Sequence, residues 1–156
     1  MNSGIMPQNT RTIWLSWRFA FILGIALILY LPALRGGFIW DDDAYVTANT
    51  ALRSLRGLWE IWFQPGRLEQ YYPLTYSSFW VEYHLWGLHP FGYHLVNVLL
   101  HTANSLLVWR LLEHFKIRGA RFAALIFLIH PVHVESVAWI TERKNVLSGF
   151  FYLSAL

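Results

Sequence analysis

Residues 91–109, FGYHLVNVLLHTANSLLVW, contain no Asp, Glu, Lys or Arg, and a run of this length predicts a membrane-spanning helix. Four polar residues recur in it at spacings of three, four and three: His94, Asn97, His101 and Asn104. At about 100° per residue they share one helix face, which in lipid must point into a helix bundle or a wet cavity. Hydrogen bonding between helices is the favoured role of this polar stripe. Direct contact of His94 and His101 with a substrate is the alternative.

The composition of the whole chain also indicates a membrane protein. Of its 156 residues, 56% are hydrophobic and 13% are charged, whereas about a quarter of the residues in a soluble domain are charged. A chain this apolar is not intrinsically disordered. Cysteine is absent, which excludes disulfides, zinc–thiolate sites and a thiol nucleophile. The net charge of +3 is small and scattered, so no nucleic-acid partner is expected.

Further hydrophobic segments predict an all-α membrane protein with several spans. The first segment is favoured as a retained anchor over a cleaved signal peptide, which would have a shorter apolar core and a cleavage site unlike LPALR. After residue 120, a short helix with a polar re-entry is preferred over one Pro-kinked helix. The predicted order is a span at about 13–34, an outer loop at 35–90, a span at about 91–112, a short span at about 119–130, an outer loop at 130–144 and the start of a next span at 145–156.

Basic residues predict the orientation of these spans. They cluster before the first span and around the turn after the second: Arg11, Arg18, Arg110, Lys116, Arg118 and Arg121. The positive-inside rule places both clusters, and with them the N-terminus, on the cytoplasmic side. The two outer loops are then extracytoplasmic. In the first of them, about 51–63 and 74–86 are predicted to be surface helices, the first with an apolar face formed by Leu52, Leu55, Trp59 and Trp62.

Three consecutive carboxylates, Asp41, Asp42 and Asp43, follow the first span directly. Mutual repulsion and partial desolvation at a membrane edge are expected to raise the pKa of at least one of them. A catalytic or binding role is one interpretation of this run. A solvated acidic turn, or an N-cap for the helix that follows, is the alternative, and spacing alone does not separate the two.

A second polar cluster, His130, His133 and Glu135, is predicted on the same side of the membrane. Its oxygen and imidazole ligands could hold a divalent ion. Alternatively, one carboxylate could act as a general base while His or Arg binds phosphate. The spacing matches no zinc-protease motif, and Pro131 prevents a regular helical face. Downstream, Arg143 is a candidate phosphate ligand, although a boundary charge before the next span is the favoured interpretation.

Several segments carry a resemblance to a known family. They are FIWDD at 38–42 with Val46 and Asn49, YPLT at 72–75, GYHLVNVLLH at 92–101, and HPVHVE at 130–135 with Ala138 and Trp139. In this order they resemble the transmembrane O-mannosyltransferases that carry tetratricopeptide repeats, within the GT-C class of membrane glycosyltransferases. The resemblance covers nearly everything from residue 20 to residue 156.

The resemblance implies a reaction and roles for these residues. Such enzymes transfer a sugar, typically mannose, from a polyprenyl-phosphate carrier to a hydroxyl of a protein or glycan acceptor, on the extracytoplasmic or lumenal side and with inversion. By analogy, Asp41 or Asp42 positions and deprotonates the acceptor hydroxyl, and Asp43 ranks lower as a substrate-binding residue. Glu135, with His130 or His133, supports the donor phosphate or a divalent metal. For such a metal, Mg or Mn, the expected ligands are Asp42 and Glu135.

Members of that family have many more spans and an array of helical repeats of about 34 residues. We therefore expect this chain to be an N-terminal fragment of a larger enzyme, inactive by itself, whose partners are a lipid-linked donor, an acceptor and membrane lipids. A non-catalytic membrane scaffold or transporter fragment is the alternative. Transporters often contain paired broken helices in inverted repeats, and the sequence contains no such repeat, so the enzyme is favoured.

Overall fold

A computed structural model of the chain describes residues 8–156, with side chains from residue 17 onward. The side chain of Arg11 therefore lies outside the described residues. All regular secondary structure in the described part is helical, with no strand, which confirms the all-α prediction. Its α-helices are α1 (Gln8–Leu29), α2 (Leu31–Leu34), α3 (Leu55–Phe63), α4 (Pro73–Trp86), α5 (Pro90–His114), α6 (Ala120–Ile129), α7 (Val134–Ala138) and α8 (Arg143–Ala155).

Helix α5 is the central element, and α1, α6 and α8 pack around it. Pro90 begins the helix, where its missing N–H costs no hydrogen bond. Within residues 8–156, α5 is the one helix that is long and apolar enough to cross a membrane. Helix α6 and residues 131–138 pass the same test only as a pair bent by 48°, and the apolar part of α1 is shorter. Length and composition thus support one membrane crossing, or two if the bent pair counts as one.

The chain breaks at the end of α6, because Pro131 restricts His130 to an extended conformation. His130 Nδ1 then accepts a hydrogen bond of 3.2 Å from the N–H of Val132. Short helical turns, Pro131–His133, α7 and Ile140–Glu142, lead into α8. Asn97 in α5 donates to the carbonyl of Trp139 over 3.0 Å. Residues 130–142, named here the re-entrant segment after the predicted form, therefore lie against the first half of α5.

Two hydrophobic cores hold the molecule together. The first lies between α1, α5, α6 and α8, and its fully buried members include Ile22, Val98 and Leu128. The second orders the long loop between α2 and α5, where a stacked pair, Tyr45 and Tyr76, has ring centroids 5.2 Å apart. Burial of each large side chain contributes about 1.5–3 kcal/mol. The loop is therefore a packed subdomain. It holds in place the turn that contains Asp41, Asp42 and Asp43, named here the acidic turn.

The first surface helix begins later than the sequence predicts. Ser54 caps α3 by accepting a hydrogen bond of 3.0 Å from the N–H of Gly57. Leu52 precedes this cap in a 3₁₀ turn and is fully buried, so its predicted place on the apolar outer face is wrong. The exposed apolar face consists of Leu55, Trp59, Trp62 and Phe63.

Replacing Gly57 by Ala is expected to destabilise the fold by about 1–3 kcal/mol, the usual cost of overpacking. A Cβ at Gly57 would lie 2.0 Å from the carbonyl oxygen of Ala51, which is backbone and cannot move aside cheaply. The measurement is the thermal midpoint of the purified full-length protein. Gly24→Ala is the matched control, since a Cβ at that helical glycine meets nothing within 4 Å. Equal midpoints for the two variants would contradict the predicted clash.

Candidate functional site

Asp42 is the best-anchored member of the acidic turn and is fully buried. Its Oδ2 accepts a hydrogen bond of 2.9 Å from the N–H of Ile39, and its Oδ1 accepts one of 3.0 Å from the N–H of Thr141. Burial raises the pKa of the Asp42 carboxyl, and these two N–H groups oppose that rise. The N–H dipole of the Trp139 indole and the O–H dipole of Thr141 also lower the pKa of Asp42, although neither group makes a hydrogen bond.

The neighbours of Asp42 point away from the core. Asp41 and Asp43 are both exposed. Asp43 Oδ1 accepts a hydrogen bond of 2.7 Å from the Thr47 hydroxyl, so this carboxylate is used within its own turn. Within the described residues, no side-chain hydrogen bond or ion pair engages the Asp41 carboxylate. Asp41 is therefore the carboxylate of this turn that is exposed and has no side-chain partner within the described residues.

Backbone strain marks the residue just before the acidic turn. Trp40 has a φ of 47°, a left-handed conformation that costs a bulky residue about 1–3 kcal/mol. The conformation is held by the hydrogen bond from Ile39 to Asp42 and by an edge-to-face contact between Trp40 and Trp139, with centroids 5.2 Å apart. The turn that presents Asp41 is thus fixed by contacts to the re-entrant segment.

Arg143 is fully buried and holds the re-entrant segment to α4 and α5. Its guanidinium forms a two-point ion pair with Glu82 and also donates to Asn97 Oδ1. The other donors reach Ser78 Oγ over 3.0 Å and the carbonyl of Tyr93 over 2.9 Å. These bonds use all five guanidinium N–H groups. Arg143 therefore has no donor left for a phosphate and is not an exposed boundary charge either.

Glu82 is the member of this buried network that sequence reasoning missed. Burial raises the pKa of its carboxyl, and the Arg143 guanidinium opposes that rise. Asn97 extends the network, because it accepts from Arg143 and donates to Trp139, two residues before the Thr141 N–H that binds Asp42. Glu82 is the one charged residue in the aromatic helix α4, and that isolation was the available signal.

The polar stripe of α5 is buried against neighbouring elements. Asn97 bonds as described, His101 Nε2 lies 3.1 Å from the carbonyl of Leu128, and Asn104 donates to the carbonyl of Val146 over 2.8 Å. His101 and Asn104 thus make the interhelical hydrogen bonds that the sequence favours, and Asn97 bonds the connection that follows α7. His94 is the exception: it is buried next to Gly36, and neither of its ring nitrogens has a partner in the described part of the chain.

The structure separates the second polar cluster into exposed and packed residues. His130 and Glu135 are exposed. His133 is half-buried between rings, with centroids 4.4 Å from Phe127 and 5.2 Å from His101. Burial lowers the pKa of His133, and His130 lowers it further. His101 and His133 line a cavity of about 410 Å³ between α5, α6 and α8, so the structure brings these two candidates together.

The predicted divalent metal finds no matching set of ligands. Within the residues that the structure describes, no group of three or more His, Cys, Asp or Glu side chains is placed to hold an ion. Both Asp42 oxygens already accept backbone hydrogen bonds, and Glu135 is an exposed residue on α7. Asp42 and Glu135, as the structure places them, therefore do not form a set of ligands for a divalent ion.

Comparisons with known proteins agree with the resemblance seen in the sequence. The chain is 30% identical over 162 residues to the human protein O-mannosyl-transferase TMTC4, covering 88% of this chain and 22% of that protein. It is 34% identical to the Caenorhabditis elegans protein O-mannosyl-transferase F38B6.6, covering 86% of this chain and 22% of the relative. For the Xenopus laevis protein O-mannosyl-transferase tmtc2 the identity is 36%, over 85% of this chain and 17% of the relative.

The chain is homologous to the protein O-mannosyl-transferases. It spans about a fifth of the length of these relatives. No family model matches the chain, and no solved structure matches it.

Proposed function

We propose that this chain forms part of a membrane-embedded mannosyltransferase that moves mannose from a polyprenyl-phosphate carrier to a hydroxyl group of a protein. The homology to protein O-mannosyl-transferases supports mannose as the sugar and protein as the acceptor. The observation that carries the proposal is the acidic turn, where a reachable carboxylate, Asp41, stands beside a buried and pinned one, Asp42. Deprotonation of a hydroxyl requires a carboxylate that is held in position. In this proposal Asp41 is that carboxylate, and the hydrogen bonds of Asp42 hold the turn in place.

The proposed active face is extracytoplasmic. The Pro90 end of α5 lies beside the packed loop, since Tyr93 belongs to the same core as Tyr45 and Tyr76. The other end of α5 leads into the basic turn with Lys116, Arg118 and Arg121. If the basic turn is cytoplasmic by the positive-inside rule, the acidic turn lies on the opposite side. This orientation also assigns the exposed apolar face of α3 to the outer membrane surface.

In the proposed reaction, Asp41 accepts the proton of the acceptor hydroxyl. The acceptor oxygen forms a bond to the anomeric carbon of mannose, and the bond from that carbon to the phosphate oxygen breaks. The polyprenyl phosphate leaves with the electron pair, and attack from the opposite face inverts the configuration. Asp42 acts as a positioning residue, because it ties the acidic turn to Thr141 on the re-entrant segment.

The donor phosphate is assigned to the exposed edge of the re-entrant segment. His130 is exposed there, and a protonated imidazole can donate to a phosphate oxygen. Glu135, one turn further, would repel a phosphate unless a cation lay between the two groups. The predicted divalent metal at Asp42 and Glu135 has no support in the arrangement of the described residues, whereas direct contact of His94 or His101 with the sugar stays a prediction.

The test is mannose transfer by the full-length protein in sealed vesicles, with radiolabelled polyprenyl-phosphate mannose as donor and a Ser/Thr-containing protein as acceptor. We expect labelled acceptor with this donor and none with a nucleotide-linked mannose supplied on the same side. Transfer from the nucleotide sugar alone would overturn the lipid donor. No transfer from either donor would favour the scaffold alternative, and labelling of acceptor only on the basic side would overturn the orientation.

A further inference from the structure

Two guanidinium groups contact the same indole ring near the basic end of α5. Arg18 of α1 places its Cζ 4.8 Å from the centroid of the Trp109 ring, and Arg121 of α6 places its Cζ 6.0 Å from it. Each contact alone is a favourable cation–π interaction. The two cations repel each other, however, so an anion between them would stabilise the arrangement.

The charges at this place are only partly balanced within the described residues. Arg18 forms an ion pair of 2.7 Å with Glu113. Among residues 17–156, no carboxylate forms an ion pair with Arg121. The Trp109 side chain is buried, and its indole N–H has no hydrogen-bond partner in the same part of the chain. A negatively charged hydrogen-bond acceptor would stabilise both the Arg121 guanidinium and the buried Trp109 N–H.

The space beside these groups is a cavity of about 510 Å³ between α1 and α6, named here the Trp109 cavity. Apart from Arg18, Arg121 and Trp109, its walls are apolar and include Phe21, Phe122 and Leu125. Phe21 and Phe122 are 56% and 73% exposed, so the apolar wall opens outward from the helix bundle. Cationic groups at one end and an outward-facing apolar wall match a molecule with an anionic head and a hydrocarbon tail.

We propose that the Trp109 cavity binds an anionic phospholipid of the surrounding membrane. The lipid phosphate lies between Arg18 and Arg121, where it accepts charge-assisted hydrogen bonds and one further bond from the Trp109 N–H. An acyl chain lies against Phe21 and Phe122. A free phosphate ion would use the two arginines and leave the apolar wall empty, so the wall favours a lipid. The inference goes beyond the transferase reaction and rests only on the proposed membrane location.

The experiment uses the full-length protein in nanodiscs of phosphatidylcholine, with or without phosphatidylglycerol. Native mass spectrometry counts the retained phosphatidylglycerol, and the thermal midpoint reports stabilisation by bound ligand. We expect retained phosphatidylglycerol and a higher midpoint in the mixed discs. Arg121→Gln should weaken retention about fivefold, the effect of one lost cation near the surface, and remove most of the midpoint shift. Arg118→Gln is the matched control, because Arg118 is exposed in the same turn and does not line the cavity.

Several results would overturn the site. Equal losses in Arg118→Gln and Arg121→Gln would indicate diffuse surface attraction, and an unchanged midpoint shift in Arg121→Gln would exclude Arg121 as a ligand. The same shift from inorganic phosphate in phosphatidylcholine discs would indicate an anion site without a lipid. Phe122→Ala separates these cases, because it should weaken lipid retention without changing any response to phosphate. Failure of the protein to partition into membranes would instead contradict the proposed location.

Discussion

Replacing Asp41 by Asn in the full-length protein is expected to lower the transfer rate by about 10²- to 10⁴-fold, the usual contribution of a positioned general base. The thermal midpoint should stay within about 1 °C of wild type, because Asp41 is exposed and surface changes of this kind rarely exceed ±0.5 kcal/mol. The measurement is the initial rate of mannose transfer at saturating donor and acceptor, with thermal unfolding followed on the same preparation.

Asp43→Asn and Asp42→Asn are the matched controls for this prediction. Asp43 is exposed and its carboxylate accepts from Thr47, so Asp43→Asn should leave transfer within a few-fold of wild type. Asp42→Asn turns an amide NH₂ toward one of two backbone N–H groups, from Ile39 or Thr141, and should lower both stability and rate. A large loss of rate in Asp42→Asn with an unchanged midpoint, together with an active Asp41→Asn, would assign the base to Asp42.

Glu82→Ala is expected to be the most destabilising single substitution considered, at about 3–5 kcal/mol. It leaves the Arg143 guanidinium buried without a counter-charge and with two N–H groups unpaired. A loss of this size is a large fraction of the net stability of a domain, about 5–15 kcal/mol, so the yield of folded full-length protein should fall. The measurement is the thermal midpoint and the yield of monodisperse protein in detergent.

Charge burial can be separated from side-chain size by two further variants. In the double variant Glu82→Leu/Arg143→Met, no unpaired charge remains, so it should be closer to wild type than Glu82→Ala. Arg56→Ala removes a pair with Glu60 in which the arginine is 88% exposed, and it should change the midpoint little. Similar thermal midpoints for Glu82→Ala and Arg56→Ala would show that the buried ion pair stabilises the fold no more than the exposed one does.

Helix α5 illustrates what could be predicted from the sequence. Its apolar length and the spacing of His94, Asn97, His101 and Asn104 are local properties, because a helix places residues three and four apart on one face. The structure accordingly buries that face and uses three of the four side chains to bond neighbouring elements. Pro131 likewise breaks the chain by a local steric effect on His130.

Arg143 and Glu82 illustrate what could not be predicted. They are 61 residues apart, and their pairing depends on how α4 and α8 pack against α5. Next to a predicted span, Arg143 has the sequence pattern of an interfacial cation. Its burial with five hydrogen bonds is a property of three helices together, which no local pattern encodes.

The acidic turn shows the same division within three residues. The sequence by itself determines that Asp41, Asp42 and Asp43 follow an apolar helix, and that three adjacent carboxylates cannot all be buried without partners. Only the tertiary structure decides which one is buried. Asp42 is the residue whose Oδ1 meets the N–H of Thr141, 99 positions away, while Asp41 and Asp43 remain at the surface. Desolvating a carboxylate is costly unless donors replace the lost water. Here one donor is the N–H of Ile39 in the same turn, and the other is the N–H of Thr141, near the opposite end of the chain.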